Sequence, residues 1–182
     1  MKRLLGLLIG LVAVAGIISL AYGGATDSLD IKVTLASDIE VNIQDTEFNF
    51  EELIGGQTSV SWNAVTVENT STSNREDWEL KLDDTGSDWT AITLGTPGED
   101  EFLLMAQFGT SAGTWSSDNH SLTTSNRNCS VNVYFGNGTY AECGLDVPKG
   151  ATRSLWFRIT MPEYSIHVGE QTIPVTVTAS IG

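Results

Sequence analysis

Leu155-Trp156-Phe157-Arg158-Ile159-Thr160-Met161 alternates along its length: Leu155, Phe157, Ile159 and Met161 fall on one side, with Trp156, Arg158 and Thr160 on the other. A period of two with one apolar set is the pattern of a strand that buries a single face. The same alternation runs through Ile31, Val33, Leu35 and then Ile39, Val41, Ile43. It recurs in Val60, Trp62 with Val65, Val67; in Trp78, Leu80, Leu82; in Val131, Val133, Phe135; and in Ile173, Val175, Val177, Ala179. Eight to ten strands follow from this count. No stretch after residue 25 keeps a helical period for ten residues, and the segments between strands are rich in Gly, Ser, Thr, Asn and Asp, the residues that build turns. The expected fold is all-β: a single antiparallel β-sandwich, Ig-like or jelly-roll, with a barrel as the alternative.

The chain has 182 residues. It begins with Lys2 and Arg3, followed by an 18-residue apolar run, Leu4 to Ala21, and the small-residue stretch Ala21-Tyr22-Gly23-Gly24-Ala25. Positive start, apolar core and small residues in that order predict a secretory signal helix over 1–25. The run is also just long enough to span a bilayer, so an uncleaved N-terminal anchor is the alternative, and the only expected route to a membrane. Residues 26–182 are expected to form one exported domain, large enough to bury roughly two thirds of its unfolded surface. No cysteine stands at the junction to carry a lipid, and no covalent anchoring through the C-terminus is expected.

The formal net charge is −14, and without Lys2 and Arg3 the exported part carries −16. Nucleic acid is excluded as a partner, because binding it rests on basic contacts to phosphate. So acidic a surface serves solubility in an extracellular medium. Cys129 and Cys143 both lie in the exported part, and an even pair in such a chain predicts a disulfide. The segment between them reads as a β-hairpin turning at Gly136-Asn137-Gly138, so the bridge would staple that hairpin to itself.

Asn69, Asn119, Asn128 and Asn137 each open an Asn-x-Ser/Thr sequon and are candidate glycan sites. Asp83, Asp84 and Asp88, and again Glu99, Asp100 and Glu101, are acidic clusters beside glycine. They are weak calcium candidates, lacking the EF-hand spacing, and otherwise read as solvated turns. His120 and His167 have no partner at ligand or triad spacing, and no GxSxG, HExxH, phosphate-loop or dinucleotide fingerprint occurs. Neither an enzyme nor a cofactor is expected. Of five tryptophans, Trp62 and Trp78 are in phase with core positions; Trp89, Trp115 and Trp156 remain as candidate sugar-stacking aromatics. The polar stretch 109–128 is the longest expected loop.

Two strand patterns directly behind the presumed cleavage point make Ile31, Val33, Leu35, Ile39, Val41 and Ile43 a candidate donor strand. Such a strand satisfies the sheet edge of a neighbour, or simply pairs within its own sandwich. With the stretch Ser59-Val-Ser-Trp-Asn-Ala-Val-Thr-Val-Glu-Asn-Thr70 and the final Ile173-Pro-Val-Thr-Val-Thr178, the exported part resembles secreted β-sandwich filament subunits of the TasA and camelysin kind and the archaeal bundling pili similar to them. The resemblance implies a structural surface protein that self-associates when the N-terminal strand of one subunit completes the sheet of the next. The alternative expectation is an extracellular carbohydrate-binding or adhesive module using loop aromatics, and a third is a calcium-stabilised extracytoplasmic domain.

Overall fold

The computed structural model describes residues 38–45 and 47–182. The signal segment and the donor-strand positions Ile31, Val33 and Leu35 lie outside the described residues. The rest is all-β, with nine strands among the described residues: β1 (Val41–Ile43), β2 (Thr58–Val60), β3 (Val65–Asn69), β4 (Glu76–Leu82), β5 (Thr90–Ala91), β6 (Glu101–Phe108), β7 (Arg127–Asn128), β8 (Thr152–Thr160) and β9 (Val175–Ile181). A four-residue helix, α1 (Ser117–His120), and a 3-10 turn at Tyr140–Glu142 are the helical pieces.

The larger sheet runs β1-β3-β8-β6-β5, with β2 also on β8. β8 is its axis: β6 covers one edge from Leu155 to Thr160, while β3 and β2 share the other, β3 against Thr152–Leu155 and β2 against Arg158–Thr160. The smaller sheet is β7-β4-β9, and β4 and β9 pair over seven residues from Glu76↔Ile181 to Leu82↔Val175. Inward side chains of both sheets meet in one core: Val65 and Val67 of β3, Trp78, Leu80 and Leu82 of β4, Phe102, Leu104, Ala106 and Phe108 of β6, Leu155, Phe157 and Ile159 of β8, and Val177 of β9. Trp78 and Phe108 join the sheets directly, their ring centroids 5.6 Å apart.

β6 departs from the alternating pattern. Every residue from Phe102 to Phe108 is buried, so the strand is covered on its outer face as well. Its continuous run Phe-Leu-Leu-Met-Ala-Gln-Phe is the sequence form of a doubly covered strand. The cover is the stretch 109–128, which is therefore an ordered lid on the sheet. The Gln107 side chain accepts from Gly113 N–H at 3.0 Å, Leu122 N–H donates to Leu104 O at 2.9 Å, and Leu82 N–H donates to Thr123 O at 2.9 Å, so the segment crosses from one sheet to the other.

Two strand readings need correction. Residues 129–143 do not form a hairpin. Ser130 N–H bonds Tyr134 O and Gly138 N–H bonds Val131 O, curling the segment so that Phe135, at φ 58°, is fully buried while Val133 is exposed. Burying one large aromatic outweighs a local turn preference, and Phe135 O accepts from Phe108 N–H at the end of β6. Trp62 is not core: it is 76% exposed. Between β2 and β3 the ladder breaks at Ser61, which turns inward, donates N–H to Phe157 O at 2.8 Å and accepts Phe157 N–H on its Oγ at 3.0 Å. A one-residue change of phase sends the next side chain to solvent.

Candidate functional site

β4 is saturated along both edges. Asp83 N–H donates to Pro174 O and Gly182 N–H to Arg75 O, so the odd-numbered residues of β4 face β9. The even-numbered ones face the opposite way and find Thr123 O, Gly144 O and Val147 O. The same parity on β9 turns Thr176, Thr178, Ser180 and Gly182 toward β4, and turns the N–H and C=O groups of Val175, Val177, Ala179 and Ile181 away from it. Among the described residues none of these four N–H groups has a backbone partner. Among the described residues β9 is thus an open edge of seven residues, with Val177 packed in the core, Thr176, Thr178 and Ser180 exposed, and Ile181 58% exposed at its end. β1, an outer strand of the larger sheet, lies beside it. Among the described residues the seam between these two strands is unpaired, as is the one between β5 and β7.

The candidate donor residues divide at this seam. Ile39, Val41 and Ile43 belong to the chain's own fold: β1 pairs antiparallel with β3, Val41↔Asn69 to Ile43↔Val67, and Thr70 N–H donates to Glu40 O.

Cys129 and Cys143 are free thiols here, both buried, and the expected bridge is not formed. The hairpin expected to carry them is absent, and Cys143 Sγ donates to Tyr140 O at 3.1 Å. Burial pushes both thiols up, Cys129 well above the usual range, with Cys143, Asp77 and Glu79 adding to it. Burial thus disfavours the thiolate, the reactive form, at both positions.

The sequons differ in accessibility. Asn69 is fully buried: its Nδ2 donates to Asn74 O and Val147 O, and its Oδ1 accepts Ser71 N–H. No glycan fits on that nitrogen in this fold. Asn119 and Asn137 are half-buried, and Asn137 Nδ2 donates to Glu142 at 2.6 Å; Asn128, on β7, is exposed.

The acidic clusters are turn builders. Asp83 Oδ1 accepts from the hydroxyl and N–H of Thr85, which holds its carboxyl below the usual range, and Asp84 accepts Ala91 N–H. Among the described residues no three His, Cys, Asp or Glu side chains gather as a metal site. Asp100 does meet a partner that sequence spacing hid. It accepts from Ser165, and His167 lies between Asp88, at 3.6 Å, and Asp100, at 3.8 Å.

Of the candidate stacking aromatics, Trp89 is 9% exposed with its Nε1 on Ser165 Oγ, and Trp156 is half-buried with its Nε1 on Gly109 O. Trp115 lines a cleft of about 400 Å³ with Met105, Gly95 and Arg158, its ring edge against His120. His120 is buried; its Nδ1 accepts Ser116 N–H and its Nε2 faces Gly136 O at 3.2 Å, so burial holds it neutral with its pKa lowered. No described helix is long and apolar enough to cross a membrane. No family model matches the chain. A search of curated proteins finds no significant relative.

Proposed function

We propose that the chain is a non-enzymatic structural subunit of a cell surface or extracellular matrix, exported by the segment 1–25. Residues 26–182 form its Ig-like or jelly-roll β-sandwich, which self-associates by accepting a strand on β9. The supporting observation is the outward-facing backbone of Val175, Val177, Ala179 and Ile181. An edge of this length is a template for another strand, and natural folds blunt such edges with lysine, proline or bulges. From Val175 to Gly182 this edge has none of them. The donor is the stretch Asp30 to Leu35, which alternates at the right period. A heterologous contact of this kind grows into a filament instead of closing.

The test is negative-stain microscopy with light scattering on residues 26–182, beside the Ala179→Pro variant. Proline at 179 removes an outward N–H and leaves every bond to β4 in place. Filaments from the parent and folded monomers from the variant are expected. Folded monomers from both would refute strand-mediated assembly.

A further inference from the structure

Trp62 is the most exposed tryptophan, and the fold directs it outward: Ser61 occupies the inward position and locks onto Phe157 from both of its polar groups. Phe48 supports the indole from one side, centroid to centroid 6.0 Å and tilted 38°, and is itself packed edge-on against Phe50 at 4.9 Å. Trp62 and Phe48 line a cleft of about 380 Å³ together with Asp45, Glu47, Asn49, Glu51, Asn63 and Val65. Among the described residues no lysine or arginine lines it, and none of the three carboxylates forms an ion pair. Asn63 Oδ1 is the one buried side-chain polar atom without a hydrogen-bond partner among the described residues. An acceptor in that position is costly to leave unmet, and since Asn63 is only partly buried and lines the cleft, a rotation of its amide would present the oxygen to a ligand hydroxyl there.

We propose that this cleft binds a neutral oligosaccharide, with a pyranose ring stacked on the open face of Trp62 and its hydroxyls donating to Asn63 and the carboxylates. Three features select this chemistry. A flat apolar ring flanked by a few polar groups is the composition of a small-ligand site, and the volume falls at the small end of the roughly 300–1,000 Å³ range for such sites. Asn49 Oδ1 already accepts Glu51 N–H, which leaves its Nδ2 as a donor. A hydroxyl can answer both a donor and several acceptors, whereas an ammonium only donates and would meet the Asn49 amide hydrogens unfavourably. Among the described residues Phe48 and Trp62 are the only aromatic rings lining the cleft, and two rings do not make a box that encloses a cation. The carboxylates, in turn, reject uronic and sialic acids by like charge. This site is separate from the β9 edge, and its occupancy does not depend on assembly.

The experiment is isothermal titration of the full-length chain with cellohexaose, maltohexaose, mannohexaose, chitohexaose, polygalacturonate and spermidine. Trp62→Ala, Asn63→Leu and Trp115→Ala are run in parallel, with circular dichroism to show that each is folded. Saturable binding of at least one of the four neutral hexasaccharides is expected, weakened at least tenfold by Trp62→Ala, weakened by Asn63→Leu and unchanged by Trp115→Ala, with no binding of polygalacturonate. Should Asn63→Leu fail to fold, Trp62→Ala alone decides, since that side chain lies in solvent. The proposal is overturned by absence of binding to all four neutral sugars, by binding that survives Trp62→Ala, or by Trp62-dependent binding of spermidine in place of sugar.

Discussion

The indole Nε1–H of Trp78 donates to the carboxylate of Glu76 at 2.9 Å, two residues earlier on β4, and both side chains are fully withdrawn from water. The second oxygen of that carboxylate accepts Glu40 N–H at 2.9 Å, immediately before β1. One buried acid therefore fixes the tryptophan that meets Phe108 in the core and also ties the edge of the larger sheet to the centre of the smaller one.

Glu76→Ala is expected to lower stability by about 2–4 kcal/mol, because it strands two buried donors as well as opening space. Glu76→Gln keeps an acceptor for one of them and should lose less. Urea unfolding of the two variants against the parent gives the comparison; equal losses would mean that the hydrogen bonds matter little and that volume alone is felt.

His120 supplies a pH dependence whose sign is set by burial. Its pKa lies below the unfolded value of about 6.5, so the unfolded chain binds more protons below that pH and stability rises with pH through the interval. The contribution is complete above about pH 6.5 and is lost as pH falls toward and through the folded value. Melting temperatures of the parent and of His120→Gln measured from pH 7.5 down to 5 should diverge at the upper end and converge at the lower. Parallel curves would remove His120 as the source.

Both cysteine thiols should resist a thiol reagent in the folded protein, since burial raises their pKa and covers the sulfurs. Two equivalents should react at once in guanidinium without reductant. Reagent uptake only after reduction would show that the pair is bridged in the isolated protein.

Gly136 has no room for a methyl group: a Cβ there would sit 2.1 Å from Ser130 O and 2.3 Å from Val131 O. Gly136→Ala should cost about 1–3 kcal/mol or more through displaced backbone, whereas Gly86→Ala, with open space around it, should be close to neutral. Guanidinium midpoints of the two variants settle the contrast.

The sequence made the strand content and much of the core legible because burial on one face writes itself as alternation. Val65, Val67, Trp78, Leu80, Leu82, Leu155, Phe157 and Ile159 are all buried where that rule puts them. It failed where a neighbour reversed the phase or a tertiary contact outweighed the local signal. Trp62 is exposed because Ser61 takes the inward position, and Phe135 leaves its expected hairpin to fill the core beside Phe108. β6 carried its own signal, an unbroken apolar run, which alternation alone passes over. The edge that β9 leaves open among the described residues was not legible at all, since which strand lies at a border depends on pairings distant in sequence. The same holds for His167, which meets Asp88 and Asp100 only once three loops are folded together.

The pairing of β4 with β9 sets a condition on timing. Ser180 lies 103 residues from Asp77, the residue whose carbonyl it contacts, and β4 gains no seven-residue partner until the very last strand is present. Long-range pairings of this kind close slowly. β1 and β3 can pair as soon as both are present, but Trp78, Leu80 and Leu82 of β4 must wait for Val177. Such a topology leaves one wall of the core open until β9 arrives, so the smaller sheet is the part whose closure completes the fold.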